Sequence, residues 1–451
     1  MTTMSQRAAA ETGAASRIAK WAPLAVILCG TFMYVLDFFV VNVALPSIQV
    51  SLRAGPTAIE WVVAGYALTS ASFLVCGGRL GDHYGRRRLF MIGVGLFTLA
   101  SALCAAAPDP AFLVGARLAQ GVGAAIMAPN VLSILGTTYT GPGRVRAISV
   151  YGMVMGVAAV GGQLLGGLLI SANVAGLGWR TIFWVNVPIG IAALAAAPRL
   201  VPESRVARSG RLDFTGAALL TAGLTAGPVL LIAFAVQLRR TKRRGGQPLL
   251  DPAIFAVRAF RSGLACQVLF WCQQAAGYLL LALYLQQGRG LSPIESGGVF
   301  SFLAAGYLIT SFPAPKLTVR FGRSVVLAGA LVATLGDLLL VAAVWHVGTG
   351  GALAALFPGL LLLGAGQGLC ITPLTTTVLS HATPSTAGSV SGALATAQQV
   401  GNAIGVALCG VVFYGLLDRG YGVAYRWSVV EMAVLLLGTA ALTFLIPKRD
   451  G

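Results

Sequence analysis

The sequence predicts an all-α polytopic membrane protein made of two pseudo-symmetric six-helix bundles, with an extra short hydrophobic element between the halves. Three observations predict it. The 451 residues are 57% hydrophobic and only 10% charged, where soluble domains run near a quarter charged. The apolar residues come in runs of about twenty, the length that crosses ~30 Å of hydrocarbon as a helix. These runs lack the two-residue alternation of a lipid-facing barrel strand, and the basic residues gather in the short loops between them.

Twelve runs are expected to span, at 22–45, 57–77, 89–107, 111–134, 145–171, 179–198, 262–286, 293–314, 324–346, 353–378, 387–415 and 425–446. With the N-terminus inside, 25 of the 31 Lys and Arg fall on the cytoplasmic side. Five fall outside (Arg53, Arg180, Arg289, Arg419, Arg426), and Arg117 lies within a span. That is the positive-inside distribution. It accounts for the net charge of +18 by topology, so no nucleic-acid partner is expected. The domains read as a cytoplasmic tail at 1–21, a first bundle at 22–198, a basic cytoplasmic linker at 199–261, a second bundle at 262–446 and a cytoplasmic tail at 447–451. The apolar run beginning at Trp21 is over twenty residues long and carries Asp37. It reads as an uncleaved first span rather than a signal peptide. Both termini are expected in the cytoplasm.

Within the linker, residues 212–238 form an apolar stretch between basic flanks. Two crossings need about forty residues plus a turn. One crossing would invert the second bundle against its own loop charges. The stretch is therefore expected to stop short of a crossing, as a tilted or re-entrant element broken at Gly227-Pro228.

Several chemistries are excluded. The seven cysteines have no metal-ligand spacing, so neither zinc nor a disulfide framework is inferred. No phosphate-cradling glycine loop followed by Lys-Ser/Thr occurs, which leaves ATP-driven transport unsupported. No nucleophile–base pair is readable, so the chain is not expected to be an enzyme. No cofactor is implied, and a proton gradient is the expected energy source.

Asp37 carries the strongest functional signal. No other charge lies between Lys20 and Arg53. It sits about nine residues from the outer end of its span, ~13 Å deep at 1.5 Å per residue. Arg117 lies about seven residues into the antiparallel fourth span, ~10 Å deep, so the two are expected to face one cavity. Charges at such depth mark ion pathways and proton relays, and solvent access or substrate arrival can tip a carboxylate between charge states. Asp37 and Arg117 are therefore the proton-coupling candidates, with a structural polar clamp as the alternative. Asp337 lies deep in the ninth span and is a candidate second charge site. Among the other polar and aromatic residues of the spans, Asn42, Tyr66, Gln120, Gln274, Tyr278 and Gln398 are candidates for lining a substrate cavity. Aromatic rings there would suit a planar, cationic or polycyclic substrate.

The two halves carry a weak internal repeat. GGRLGDHYGR follows the second span and PKLTVRFGR, at 315–323, follows the second span of the other half. Gly85-Arg86 aligns with Gly322-Arg323. A duplicated transporter with its substrate site between the halves is the architecture such repeats build.

Five stretches together carry a family resemblance: LDFFVVNVALP at 36–46, GGRLGDHYGRRRLF at 77–90, RLAQGVGAAIMAPN at 117–130, WRTIFWVNVPIG at 179–190 and GSVSGALATAQQVGNAIGVAL at 388–408. The chain resembles the major facilitator superfamily, specifically the drug:proton antiporters of the fourteen-helix type, over nearly all of its length outside the tails and linker. The resemblance implies proton-coupled export of lipophilic drugs or antibiotics through the cell membrane, by a monomer. It implies that the Gly78–Arg88 loop gates the cytoplasmic side, with Gly78 and Gly85 giving tight turning and close approach. Asp82 and Arg86 would latch the outward-open state, and Arg87 would meet the anionic inner leaflet. The family's fifth-helix motif appears here with Gly156, Gly162, Gly166 and Gly167, but Gln163 replaces its proline. That departure is expected to give either a less kinked helix or a polar contact to substrate. Two rivals stay open: a uniporter or symporter on the same fold, and a non-transporting membrane sensor or scaffold.

Overall fold

The structure, a computed structural model, describes residues 2–205, 236–237, 240–241, 252–379 and 387–446. Its helices are α1 (Thr2–Leu52), α2 (Pro56–Tyr84), α3 (Arg86–Ala105), α4 (Pro110–Thr138), α5 (Gly141–Ala172), α6 (Thr181–Trp184) and α7 (Asn186–Leu200) in the first half. The second half has α8 (Arg258–Leu283), α9 (Pro293–Ser311), α10 (Ala314–Phe321), α11 (Ser324–Val347), α12 (Phe357–Leu379), α13 (Ala387–Gly415) and α14 (Tyr421–Thr443). No strand occurs among the described residues. Helices dominate because hydrocarbon offers no partner for backbone N–H and C=O groups, and a helix satisfies them internally.

Ten stretches are long and apolar enough to cross a membrane, and two bent helix pairs bring the number to twelve. This is a multi-pass membrane protein. The pair α9 and α10 bends by 48° at Phe312-Pro313, where proline cannot continue the backbone hydrogen-bond ladder. Helix α1 runs back to Thr2 through the residues read as a tail, although the apolar stretch begins at Trp21. Of the expected apolar element at 212–238 only residues 236–237 are described. The rest of that element and the tail at 447–451 lie outside the described residues.

In the first half α4 packs on α2 and α3, while α1 packs on α5 and α7. In the second half α12 packs on α9 and α11, α13 packs on α8, and α14 on α11. The halves meet where α5 touches α9, α2 touches α13 and α1 touches α8. Large apolar side chains such as Ile309, Val411 and Val434 remain exposed, as a lipid-facing surface requires.

The repeat is built as backbone. Helix α2 ends at Gly85 with φ +107°, and α10 ends at Gly322 with φ +55°. Both lie in the region that favours glycine. The expected loop is in fact a single-residue break: α2 continues to Tyr84 and α3 starts at Arg86. Gly78 therefore lies buried inside a helix and provides no turn, a correction to its expected role. A second parallel joins the halves. Arg87 Nη1 donates to the carbonyls of Pro198 and Val201, both at 3.1 Å, at the end of α7. Arg323 Nη1 donates to those of Phe444 and Ile446, at 2.9 and 2.6 Å, after α14. In each half an arginine opening the third span satisfies carbonyls left over at the end of the sixth, where the helix dipole also favours a cation.

Candidate functional site

Five helices converge on Asp37. Its carboxylate oxygen Oδ2 accepts from Arg117 Nη1. Oδ1 accepts from Gln120 Nε2 at 2.8 Å and from Asn186 Nδ2 at 3.1 Å. Gln120 and Asn186 also donate to Ser101 Oγ, at 2.7 and 3.4 Å. Gln120 Oε1 accepts from Arg117 Nη1 at 2.7 Å. Arg117 Nε donates to the Val62 carbonyl at 2.9 Å, and its guanidinium carbon lies 4.3 Å from the centre of the Tyr66 ring. The group thus draws on α1, α2, α3, α4 and α7.

Helical spacing explains the local geometry. Arg117 and Gln120 are three apart on α4 and so share a face, and that face meets α1 at Asp37. Both members of the ion pair are 0% exposed. The pair was expected to face a cavity; instead it is enclosed by its own half. A charge so buried persists only when paired and hydrogen-bonded, and the amides of Gln120 and Asn186 supply the remaining bonds. Arg117 Nη2 has no hydrogen-bond partner, and the guanidinium carbon lies over the rings of Tyr66 and Phe183.

The candidate cavity residues divide. Tyr66 and Gln120 belong to the charged group just described. Asn42 is buried with Oδ1 unpartnered, and Gln398 is buried with Nε2 unpartnered. Gln274 and Tyr278 sit on α8, where Gln274 Nε2 donates to Tyr278 Oη at 3.3 Å. Tyr278 donates to Gln367 Oε1 on α12 at 2.7 Å, and its ring lies 5.1 Å from that of Phe39 on α1. Gln367 was not singled out in the sequence; its signal is an amide between two glycines in an apolar run. Ser101 gave none, because hydroxyls are common in membrane helices. Asp337 is buried in α11 with Oδ2 unpartnered.

Helix α5 answers the question raised by Gln163. The helix bends by 42° between Ala159 and Gly161 without a proline. The Gly161-Gly162 pair is the kind of site at which helices kink. Gln163 Nε2 donates to the Phe39 carbonyl at 3.1 Å. Gly156 lets Tyr307 of α9 press onto the helix, and the Tyr307 hydroxyl donates to the Gly152 carbonyl at 2.6 Å. Gly162 and Gly166 pack on Leu36 and Val40 of α1, and Gly167 against the Pro293 carbonyl of α9.

At the Gly85 turn, Arg86 Nη2 and Asp82 Oδ1 form an ion pair at 2.7 Å, with both residues 2% exposed. Sequence reasoning missed Glu203. Its carboxylate accepts from the backbone N–H of Arg87 at 3.0 Å and of Arg88 at 3.2 Å, capping the start of α3 where negative charge is favoured.

Comparison with known proteins agrees with this architecture. Residues 27–406 match the profile of the Major Facilitator Superfamily. The chain belongs to the major facilitator superfamily. Within it, the chain is 35% identical over 425 residues to a probable actinorhodin transporter of Streptomyces coelicolor, covering 88% of this chain and 73% of that one. It is 34% identical over 466 residues to the puromycin resistance protein pur8 of Streptomyces alboniger, covering 95% and 91%. The human organic anion transporter MFSD10 (TETRAN) superposes with a TM-score of 0.67 at 18% identity, covering 92% of this chain and 99% of that one. That likeness is one of major facilitator fold.

Proposed function

We propose that this chain exports lipophilic small molecules, drugs or antibiotics among them, by alternating access driven by protons moving inward. One observation carries the reading: the ion pair of Asp37 and Arg117, enclosed at 0% exposure and held by the amides of Gln120 and Asn186. Relatives named as a probable actinorhodin transporter and a puromycin resistance protein support the reading.

The chemistry follows from the geometry. While Asp37 is ionised, its bonds tie α1 to α4 and α7. Protonating it removes the charge that Arg117 pairs with, so the tie weakens and these helices can part. In the enclosed state the carboxylate has no solvent contact. Proton exchange is therefore confined to states in which the first half opens to one side. A proton enters from outside when the protein faces outward and leaves to the cytoplasm after the turn inward. Each proton crossing ~100 mV supplies ~2.3 kcal/mol before any pH gradient. No cofactor takes part.

The same reading places the Gly85 turn and both termini in the cytoplasm of a bacterial cell whose inner membrane the protein spans as a monomer. The ion pair of Asp82 with Arg86 and the Glu203 cap lie at that face and act on the opening of the cytoplasmic side. Reconstitution into proteoliposomes with an imposed pH gradient tests the whole reading. Accumulation of a lipophilic compound against its gradient, with matching proton flux, is expected. Equilibration without accumulation would return the chain to the uniporter class.

A further inference from the structure

A second polar group lies at the seam between the halves, and every member is uncharged. Gln163 of α5 comes from the first half; Gln274 and Tyr278 of α8 and Gln367 of α12 come from the second. All four are at most 1% exposed. Phe39 joins them: its carbonyl accepts from Gln163 Nε2 at 3.1 Å, and its ring lies 5.1 Å from that of Tyr278. The Tyr278 ring in turn lies 5.9 Å from that of Phe300.

The hydrogen bonds among these side chains are incomplete in one consistent way. Gln274 donates to Tyr278 and Tyr278 donates to Gln367. This leaves Gln274 Oε1, Gln367 Nε2 and Gln163 Oε1 buried without partners. Buried polar atoms are ordinarily satisfied, and an unsatisfied one is destabilising. Three of them, beside three aromatic rings, match the pattern of a ligand site: apolar walls with a few fixed polar groups. None of these side chains carries a charge, so the group offers two acceptors and one donor.

We propose that Gln163, Gln274, Tyr278 and Gln367 form one substrate surface that takes uncharged, planar, oxygen-rich aromatic molecules in preference to permanent cations. It rests on the reading of the chain as an exporter of lipophilic small molecules. A hydroxyl on the substrate meets an amide oxygen, a ring carbonyl meets the amide nitrogen of Gln367, and the rings stack beside Phe39 and Tyr278. Gln163 thereby replaces the family's proline with a first-half contact to substrate. An amide site of this kind rejects analogues that lack the matching polar atoms, because its own groups are then left unpaired.

Equilibrium binding to the purified full-length protein, without any proton gradient, tests this. The probes are 1,8-dihydroxyanthraquinone and the permanent cation ethidium. The anthraquinone should bind at least about tenfold more tightly than ethidium. Gln163→Leu and Gln367→Leu should each weaken it by roughly five- to tenfold, as loss of one hydrogen bond implies, with little change for ethidium. Tyr278→Phe, which keeps the ring, should weaken it similarly and stands in should Gln163→Leu fail to fold. Thr334→Val, on α11, should bind as the wild type does. Ethidium binding as tightly as the anthraquinone, or unchanged binding by the glutamine variants, overturns the proposal. Wild-type protein that binds the anthraquinone selectively yet fails to accumulate it under a pH gradient supports the site and overturns the proton-driven reading instead.

Discussion

Asp37 is bound by donors 80, 83 and 149 positions away in the chain. Its own position was legible, because a lone carboxylate in an apolar run is costly and therefore conspicuous. Arg117 was legible for the same reason, and matched depth paired the two. Ser101 and Asn186 were not legible as partners, since uncharged polar residues occur in many membrane helices and most make only packing bonds. Asp37→Asn keeps the shape and an acceptor oxygen but cannot carry the proton. Under an imposed pH gradient its uphill export is expected to fall to the level of protein-free liposomes, while binding stays within about threefold, a change of under ~1 kcal/mol. Wild-type uphill rates in this variant would remove Asp37 from the coupling role.

Helices α5 and α3 show how far one element can be read alone. In α5 the glycines were visible, but the bend was not assigned to them because the family's proline was missing. The structure bends at the glycine pair. Gly156 faces the Tyr307 phenol so closely that a Cβ would overlap its ring. Gly156→Ala should therefore destabilise the protein by about 1–3 kcal/mol, the usual cost of overpacking, seen as a lower melting temperature in detergent. Adding Tyr307→Ala should recover part of that loss; an unchanged melting temperature in the single variant would show the seam to be loose there. At α3 the Gly85 break was readable from composition, whereas its Glu203 cap comes from beyond α7 and had no local signature. Asp82→Asn breaks a buried pair at this turn. Breaking such pairs typically costs a few kcal/mol, and even ~1.4 kcal/mol is tenfold in rate. Turnover should slow by roughly tenfold or more while substrate affinity holds. A large affinity loss at normal turnover would contradict a gating role.

Topology is set at the scale of the whole molecule. Under the proposed topology the charge bias of the loops puts the repeat turns of both halves on one side, which calls for an even number of crossings between them. The linker at 199–261 has basic residues at both ends, so the same reading puts both ends with those turns. Gly210→Cys and Gly245→Cys, each introduced alone after removal of the native cysteines, should be labelled only from the cytoplasm by a membrane-impermeant thiol reagent. Labelling of either from outside would place an odd crossing between them and invert the second half.

By itself the sequence determined the all-helical membrane class, the two-bundle plan, the break at Gly85 and the lone intramembrane charges. Each follows from local physics: a fixed hydrocarbon thickness, backbone groups that must be satisfied within the segment, and the high cost of charge in lipid. Only the tertiary structure decided the partners. It enclosed Asp37 with Arg117 rather than opening the pair to a cavity. It turned Gln163 to the Phe39 carbonyl, and it joined Tyr278 to Gln367 across α8 and α12. Such contacts depend on the rotation of each helix against its neighbours. In lipid that rotation is set by packing of small residues and by a few hydrogen bonds, and a uniformly apolar helix carries little periodic pattern from which to read it.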